Sequence, residues 1–373
     1  MILYMTWFSE GGSQIAARIA KLPLSIFYGY PQGRYHGRLA EQELQVRERG
    51  ERPLSVFLEE AFAQGFPVIF VGALGIAMRA IAPFIRHKTV DSPVLVLDEA
   101  GQFVIPVLAG HLGGANELAE QIAVALHAVA VVTTATDVKG TFAVDVFARR
   151  NGLRVCNPEA IRQVSAKLLQ GKSITMAVDA ACMPSEEIEK LEPPREVQLI
   201  SWEKIAEKQA VDVRITKNPI PEPSGMLLLS PKMLVLGMGC RKNKSYMEIK
   251  QTVDLLINSG KLDKKEIFVL ASVDRKEKEA GLQELAQHLR IPYVVFPAEQ
   301  LKKVPGDFAA STFVSQTVGV DNVCERAAVA AADGGVLQLH KQAKDGVTIA
   351  VAKRKKVVLQ FMEKPCVTGR KVK

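Results

Sequence analysis

An α/β fold is what this chain predicts, with amino-terminal and carboxy-terminal α/β units of mostly parallel sheet joined through a smaller middle segment. Three observations predict it. Apolar runs of strand length alternate with helix-period runs from the first residues onward, the pattern of sheets flanked by helices. Several of these strands run into glycine-bearing turns that open a helix, as at Gly72 to Gly75. At 373 residues, 48% apolar and 24% charged, the chain is long enough for two or three domains, each with its own core.

In the first unit, residues 1–137, strands are expected at Ile2–Trp7, Pro67–Val71, Val94–Leu97, Phe103–Leu108 and Ala130–Thr133. Helices are expected at Gly12–Lys21, Leu54–Gln64, Gly75–Ile85 and Gly114–Leu126. Residues 41–52 are charged and read as exposed helix or loop. The middle unit, 138–225, offers a strand at Leu153–Val155, a helix from Pro158 to Leu169 and a strand at Ile174–Val178, with Pro193-Pro194 interrupting. Its end, Asn218-Pro219-Ile220-Pro221-Glu222-Pro223-Ser224-Gly225, carries prolines on alternate positions, which a helix or central strand excludes. That run reads as the connection into the third unit, although an edge strand could include part of it. The third unit, 226–373, opens with a strand from Met233 to Leu236. Helix Ser245–Asn258, strand Ile267–Ala271, helix Gly281–Leu289, strand Tyr293–Phe296 and helices Ala309–Val318 and Cys324–Ala332 follow. Two last strands, Val347–Val351 and Val357–Phe361, flank Lys353-Arg354-Lys355-Lys356, read as a solvated turn.

Residues 98–116 are the most informative stretch. The run Val94 to Leu97 ends in two adjacent carboxyl groups, Asp98 and Glu99. After a short turn, Phe103 to Leu108 deliver His111 onto Gly113-Gly114, and a helix pattern follows. Ligands of open α/β sheets bind at the carboxyl ends of strands, and glycine-opened helix starts favour anions. Acids, imidazole and helix start are therefore expected to converge, with Asp98 or Glu99 as general base and His111 as proton donor or orienter. Gly113, Gly114 and Asn116 would then lie beside the substrate. The same acids could instead cap a helix or shape a turn, and His111 could be a structural, hydrogen-bonded residue.

Gly72-x-x-Gly75 repeats the strand, turn, helix logic. Arg79, one turn in, either reaches an anion at that helix start or is a solvated charge. Thr134 and Asp137 either line the same cleft or cap the next element. Gly237-x-Gly239 reads as a strand-end turn offering backbone N–H groups to a substrate carboxylate, with Arg241, Lys242 and Lys244 around it, or as a tight turn with solvated charges. A dinucleotide reading of that turn is disfavoured, because Lys242 stands where the third glycine belongs. Gly171-Lys172-Ser173 is no phosphate-binding loop, since Ala166 occupies the leading glycine position. Neither G-x-S-x-G nor H-E-x-x-H occurs.

The blocks Gly72 to Pro83, Asp98 to Asn116, Thr133 to Asp137 and Leu236-Gly237-Met238-Gly239-Cys240-Arg241 resemble, in that order, those of the CbiG family, the cobalt-precorrin-5A hydrolases of anaerobic cobalamin biosynthesis. The resemblance covers nearly the whole chain. It implies an enzyme that opens the δ-lactone of cobalt-precorrin-5A and releases acetaldehyde, leaving cobalt-precorrin-5B. It also implies that cobalt arrives in the substrate, so that no protein-held metal or other cofactor is needed. The implied partners are the polycarboxylate tetrapyrrole and, transiently, neighbouring pathway enzymes. A non-catalytic carrier of the tetrapyrrole intermediate is the alternative.

Charge is uneven. Residues 230–373 hold 25 Lys/Arg against 15 Asp/Glu, a net +10, which leaves −2 for the rest of a chain whose total is +8. A basic unit beside a near-neutral one suits a polyanionic ligand. No nucleic-acid motif accompanies the charge, and aromatics stand at 6%, so a small polycarboxylate fits and nucleic acid is not expected. Cys156, Cys182, Cys240, Cys324 and Cys366 are scattered, without a C-x-x-C pair, and read as reduced thiols. His36, His87, His127, His288 and His340 have no catalytic context and read as surface or packing residues. No apolar run approaches the roughly 18–20 residues that span a bilayer. The first residues read as strand, turn and helix, not as a secretion signal, so the chain is expected in the cytoplasm with no membrane partner.

Overall fold

In the computed structural model, the described residues are 2–22, 26–31, 45–46, 53–87, 90–205, 210–220, 225–309 and 321–361. The chain divides into two compact units, Met1–Thr134 and Ala135–Lys373.

The first unit is built on β1 (Ile2–Trp7), β2 (Ile26–Pro31), β3 (Gln45–Val46), β4 (Val68–Val71), β5 (Val94–Leu97), β6 (Phe103–Leu108) and β7 (Val129–Ala130). They form one sheet in the order β3-β2-β1-β4-β5-β6-β7. The first five run parallel, β6 runs antiparallel to β5, and β7 follows β6. Every residue of β1, β4 and β5 is buried, as continuous apolar strands covered on both faces must be. Helices α1 (Glu10–Ala20), α2 (Leu54–Gln64), α3 (Leu74–Ile81) and α4 (Ala115–Leu126) supply the cover. α1 and α4 pack with Leu3, Met5, Ile69 and Leu95 on one face, α2 and α3 with Tyr4, Phe70 and Val96 on the other. α3 gives way to a tighter turn at Ala82–Phe84, where Pro83 lacks the N–H a helix needs.

The second unit holds two five-stranded sheets. The middle one contains β8 (Leu153–Val155), β9 (Ile174–Val178), β10 (Val197–Ser201), β11 (Val213–Ile215) and β12 (Leu227–Pro231), in the order β10-β9-β11-β12-β8. β8 alone is antiparallel to its neighbour. α5 (Ala135–Val138) opens this unit, and α6 (Val144–Arg150), α7 (Ile161–Leu169) and α8 (Ser185–Ile188) contribute to the middle core. The last sheet contains β13 (Leu234–Cys240), β14 (Ile267–Val273), β15 (Tyr293–Phe296), β16 (Val336–Lys344) and β17 (Val347–Lys353), in the order β15-β14-β13-β17-β16. Its first three strands are parallel, while β17 runs antiparallel to β13 and β16. α9 (Tyr246–Asn258) and α10 (Ala280–His288) cover one face. α11 (Ala298–Lys302) and α12 (Val323–Ala331) cover the other. α9 starts on a capping box in which Ser245 and Glu248 satisfy each other's backbone N–H.

Several expectations are corrected. β12 belongs to the middle sheet, so residue 226 does not open the third unit, and the described part of the proline-rich run joins β11 to β12 within one sheet. Val357–Phe361 is not a strand. Val357, Leu359 and Phe361 enter the middle core, and Asn151 accepts the Gln360 N–H at 2.7 Å. Arg354 is buried against the Phe268 ring, 3.9 Å from its centroid, and is no solvated turn residue. The helix expected at Ala309–Val318 and the centre of the proline-rich run fall outside the described residues, as do Cys366, His36 and most of 41–52. No described helix is long and apolar enough to cross a membrane.

Candidate functional site

The winding of the first unit reverses between β1 and β4. β1 leads through α1 to β2 on one side, and β4 leads through α3 to β5 on the other, with α1 and α3 on opposite faces. Such a switch point leaves a crevice at the carboxyl ends of the two strands. Trp7 to Gly12 and Gly72 to Arg79 line it, and the end of β5 adds Asp98 and Glu99.

Local chemistry fixes each wall. On the α1 side, Ser9 caps the helix, its Oγ accepting the Gly12 N–H at 3.1 Å. Gly11 lies against Glu99, and a Cβ there would stand 3.4 Å from the Glu99 carbonyl and 3.7 Å from its Cβ. On the α3 side, Gly72 adopts φ +152°, and a Cβ on it would press to 3.0 Å from the Phe8 ring. The Gly72 N–H is donated to the Leu97 carbonyl at 2.8 Å, which ties this turn to β5. α3 has no side-chain cap, and Leu74 and Gly75 donate to no acceptor among the described residues. Their N–H groups and the helix dipole face the crevice mouth. Arg79 is exposed and turns back to the Gly75 carbonyl at 3.5 Å. Leu74 and Met78, one turn apart and 42% and 43% exposed, share a helix face beside these donors, while Ile76, 40% exposed, points from another side.

The two carboxyl groups part in role. Asp98 accepts N–H groups from Ala100 at 3.2 Å, Gln102 at 2.8 Å and Phe103 at 2.7 Å, so it builds the β5–β6 turn. Glu99, next in sequence, is exposed and bonds to nothing among the described residues.

His111 does not join them. Because β6 runs back along β5, with Leu97 opposite Val104 and Val94 opposite Leu108, residues after Leu108 emerge at the other end of the strands. Three strand steps of about 3.3 Å already separate the two ends by about 10 Å. The glycines there serve packing. A Cβ on Gly110 would fall 2.6 Å from Asn116 Oδ1, and one on Gly113 would fall 2.5 Å from Ala109 Cβ and 3.3 Å from Pro93. Ala115 and Asn116 donate their N–H groups to the Ala109 and Gly110 carbonyls at 3.2 and 3.1 Å, so the α4 start is not open to an anion. Asn116 is buried and its Nδ2 donates to Thr134 Oγ1 at 3.0 Å. His111, Gly113, Gly114, Asn116 and Thr134 thus lie toward one end of the strands, while Gly72, Gly75, Arg79, Asp98 and Glu99 lie toward the opposite end. Asp137 lies exposed in α5 of the second unit.

In the carboxy-terminal sheet, Gly237 and Gly239 are strand residues, not a turn. Gly237 pairs with both Ala271 and Ala350, and a Cβ on it would sit 1.8 Å from the Cys324 carbonyl. Its smallness lets α12 approach β13. Gly239 pairs with Thr348, whose Oγ1 would lie 2.9 Å from a Cβ there. Arg241 and Lys242 follow the strand and are exposed, with the Arg241 N–H donated to the Gly346 carbonyl at 2.9 Å. Lys244 is occupied by Glu248 at 2.7 Å, and Lys244 and Ser245 together lower the Glu248 carboxyl to about 2. Burial pushes the Cys240 thiol up to about 11, away from thiolate chemistry. Among the described residues, no group of three His, Cys, Asp or Glu side chains is placed to hold a metal ion.

Ser9, Gly11 and Gly12 are site residues that the sequence reading passed over. Their signal was present, since Ser9-Glu10-Gly11-Gly12 directly follows an apolar strand and opens a helix.

Three family models match the chain in succession: Cobalamin synthesis G N-terminal over residues 56–137, Cobalamin biosynthesis central region over 142–231, and Cobalamin synthesis G C-terminus over 234–352. The chain is 32% identical over 352 residues to the cobalt-precorrin-5A hydrolase of Salmonella typhimurium, covering 92% of this chain and 95% of that one. It is 29% identical over 353 residues to the cobalt-precorrin-5A hydrolase of Priestia megaterium, covering 92% of each. Among solved structures, a cobalamin biosynthesis protein G homolog from Sulfolobus solfataricus is 19% identical with a TM-score of 0.38, over 95% of this chain and 97% of that one.

Proposed function

The chain belongs to the CbiG family, and from that premise we propose that it hydrolyses cobalt-precorrin-5A, opening the δ-lactone and releasing acetaldehyde to give cobalt-precorrin-5B. The observation that carries this reading is the end-to-end similarity to hydrolases of that name. The cobalt is part of the substrate, and the product passes to the next enzyme of the pathway in the cytoplasm.

Lactone opening needs an activated water and donors for the tetrahedral oxyanion. The crevice between α1 and α3 supports both needs. Glu99 is the general base that takes a proton from water as its oxygen attacks the lactone carbonyl. The free N–H groups of Leu74 and Gly75 receive the developing oxyanion. Ring opening gives a carboxylate and a hydroxyl group. Loss of the hydroxyl proton to a base then lets the adjacent carbon–carbon bond break, with acetaldehyde leaving and the electron pair entering the conjugated macrocycle. The difficult electronic step thus belongs to the substrate. Asp98 acts by shaping the turn that presents Glu99. Leu74 and Met78 meet the macrocycle, while Arg79 meets its carboxylates; taken by itself, the carboxy-terminal unit offers the exposed Arg241 and Lys242 as further cations for carboxylates. Trapped acetaldehyde and the mass of the product test this reading.

A further inference from the structure

The middle sheet carries a cluster of donors that the hydrolase reading leaves unused. β8 and β12 pair antiparallel with Arg154 opposite Ser230, and Lys232 donates its N–H to the Gly152 carbonyl at 2.9 Å one step further along the same face. Alternate residues of a strand share a face. Arg154, Ser230 and Lys232 therefore project together, away from the helix-covered core that takes Leu153, Val155 and Leu229. Phe268 of β14 closes one side. Its ring stands where a Cβ on Gly152 would fall, 2.3 Å away, and Arg354 lies over it and donates Nη1 to the Lys232 carbonyl at 3.4 Å.

Among the described residues, no carboxylate bonds to Arg154 or Lys232, and no side chain takes up the Ser230 hydroxyl, although Ser230 is only 6% exposed. Burial, and then the Arg154 charge, hold the Lys232 ammonium below its ordinary pKa. Two like charges on one sheet face repel each other, and an anion between them converts that repulsion into binding. A guanidinium fork, a point charge and a hydroxyl match the oxygens of a carboxylate or phosphate group. We propose that the face formed by Arg154, Ser230 and Lys232 binds a small oxyanion group, independently of the amino-terminal crevice.

The test is calorimetric titration of the full-length protein with inorganic phosphate and, separately, with citrate, in chloride buffer of low ionic strength. Saturable binding of citrate alone identifies a carboxylate ligand, of phosphate alone a phosphate ligand, and of both a general oxyanion site. Arg154→Gln and Lys232→Gln should each weaken that binding by about tenfold or more, the loss of one charge-assisted contact. Thermal midpoints near the parent value show that both variants fold. The proposal is overturned if neither anion saturates at millimolar concentration, or if the folded double variant binds as the parent does.

Discussion

Glu99 and His111 stand at opposite strand ends of the amino-terminal sheet, because the neighbouring strands that deliver them run antiparallel to each other. Glu99 therefore finds its described neighbour in the start of α1, where Gly11 lies against it. His111 belongs instead to the loop that Asn116 and Thr134 brace from the other end.

Glu99→Gln should separate chemistry from binding. The side chain is exposed and bonds to no described residue, so the variant should keep its thermal midpoint. Steady-state kinetics should show kcat reduced by about 10²–10⁴, the worth of a lost general base, with KM little changed. Asp98→Ala should behave in the opposite way. Three N–H groups lose their acceptor, and the fold should weaken by about 1–3 kcal/mol. A parent-like kcat in Glu99→Gln would remove Glu99 from the mechanism.

Gly237→Ala should destabilise the second unit without altering turnover per folded molecule. A Cβ at 1.8 Å from the Cys324 carbonyl forces α12 off β13, and overpacking of this kind costs about 1–3 kcal/mol or more. Chemical denaturation measures the loss, and activity normalised to folded protein measures the rest. A stable variant that no longer binds substrate would return Gly237 to the binding site.

His288 should make stability fall in mild acid. Burial first, then the Lys264 and Lys250 charges, lower its pKa from 6.5 to about 4, while Asp254 opposes them. The unfolded chain therefore binds the proton first. Stability from this residue is full above pH 6.5 and is lost progressively as pH falls from there to about 4. Denaturation midpoints followed over that window should slope down for the parent and flatten in His288→Gln. Equal slopes in the two would assign the acid sensitivity elsewhere.

Arg241→Ala should raise KM and make it less sensitive to salt, leaving kcat nearly unchanged. Its guanidinium is exposed beyond the end of β13, in a segment with a net +10. Exposed charges are screened over about 8 Å at physiological ionic strength. Kinetics at low and high salt decide the matter, and an unchanged KM would place the substrate's carboxylates on other cations.

Much of the fold was legible because central parallel strands are uniformly apolar. Val68–Val71, Val94–Leu97 and, within β14, Ile267–Ala271 announce themselves in that way. β16 does not, since Val336–Lys344 is a largely exposed strand at a sheet edge and its lysines, glutamines and histidine carry no alternating core signal. Val357, Leu359 and Phe361 alternate as a strand would, yet the alternation reports burial in the middle core, not pairing in a ladder. The largest error of placement was itself readable. A turn as short as 98–102 can join only antiparallel strands, which sends Asp98 and His111 to opposite strand ends. The role of Gly237 was not readable, because the α12 backbone that requires it lies far along the chain.

Anaerobic incubation of the purified protein with cobalt-precorrin-5A, with acetaldehyde trapped and the tetrapyrrole weighed by mass spectrometry, reads the hydrolysis itself. One acetaldehyde should be released for each tetrapyrrole that loses its two-carbon unit, with Glu99→Gln slowed by about 10²–10⁴. Tetrapyrrole that binds the folded protein yet keeps its mass, with no aldehyde formed, would contradict hydrolysis and identify a carrier.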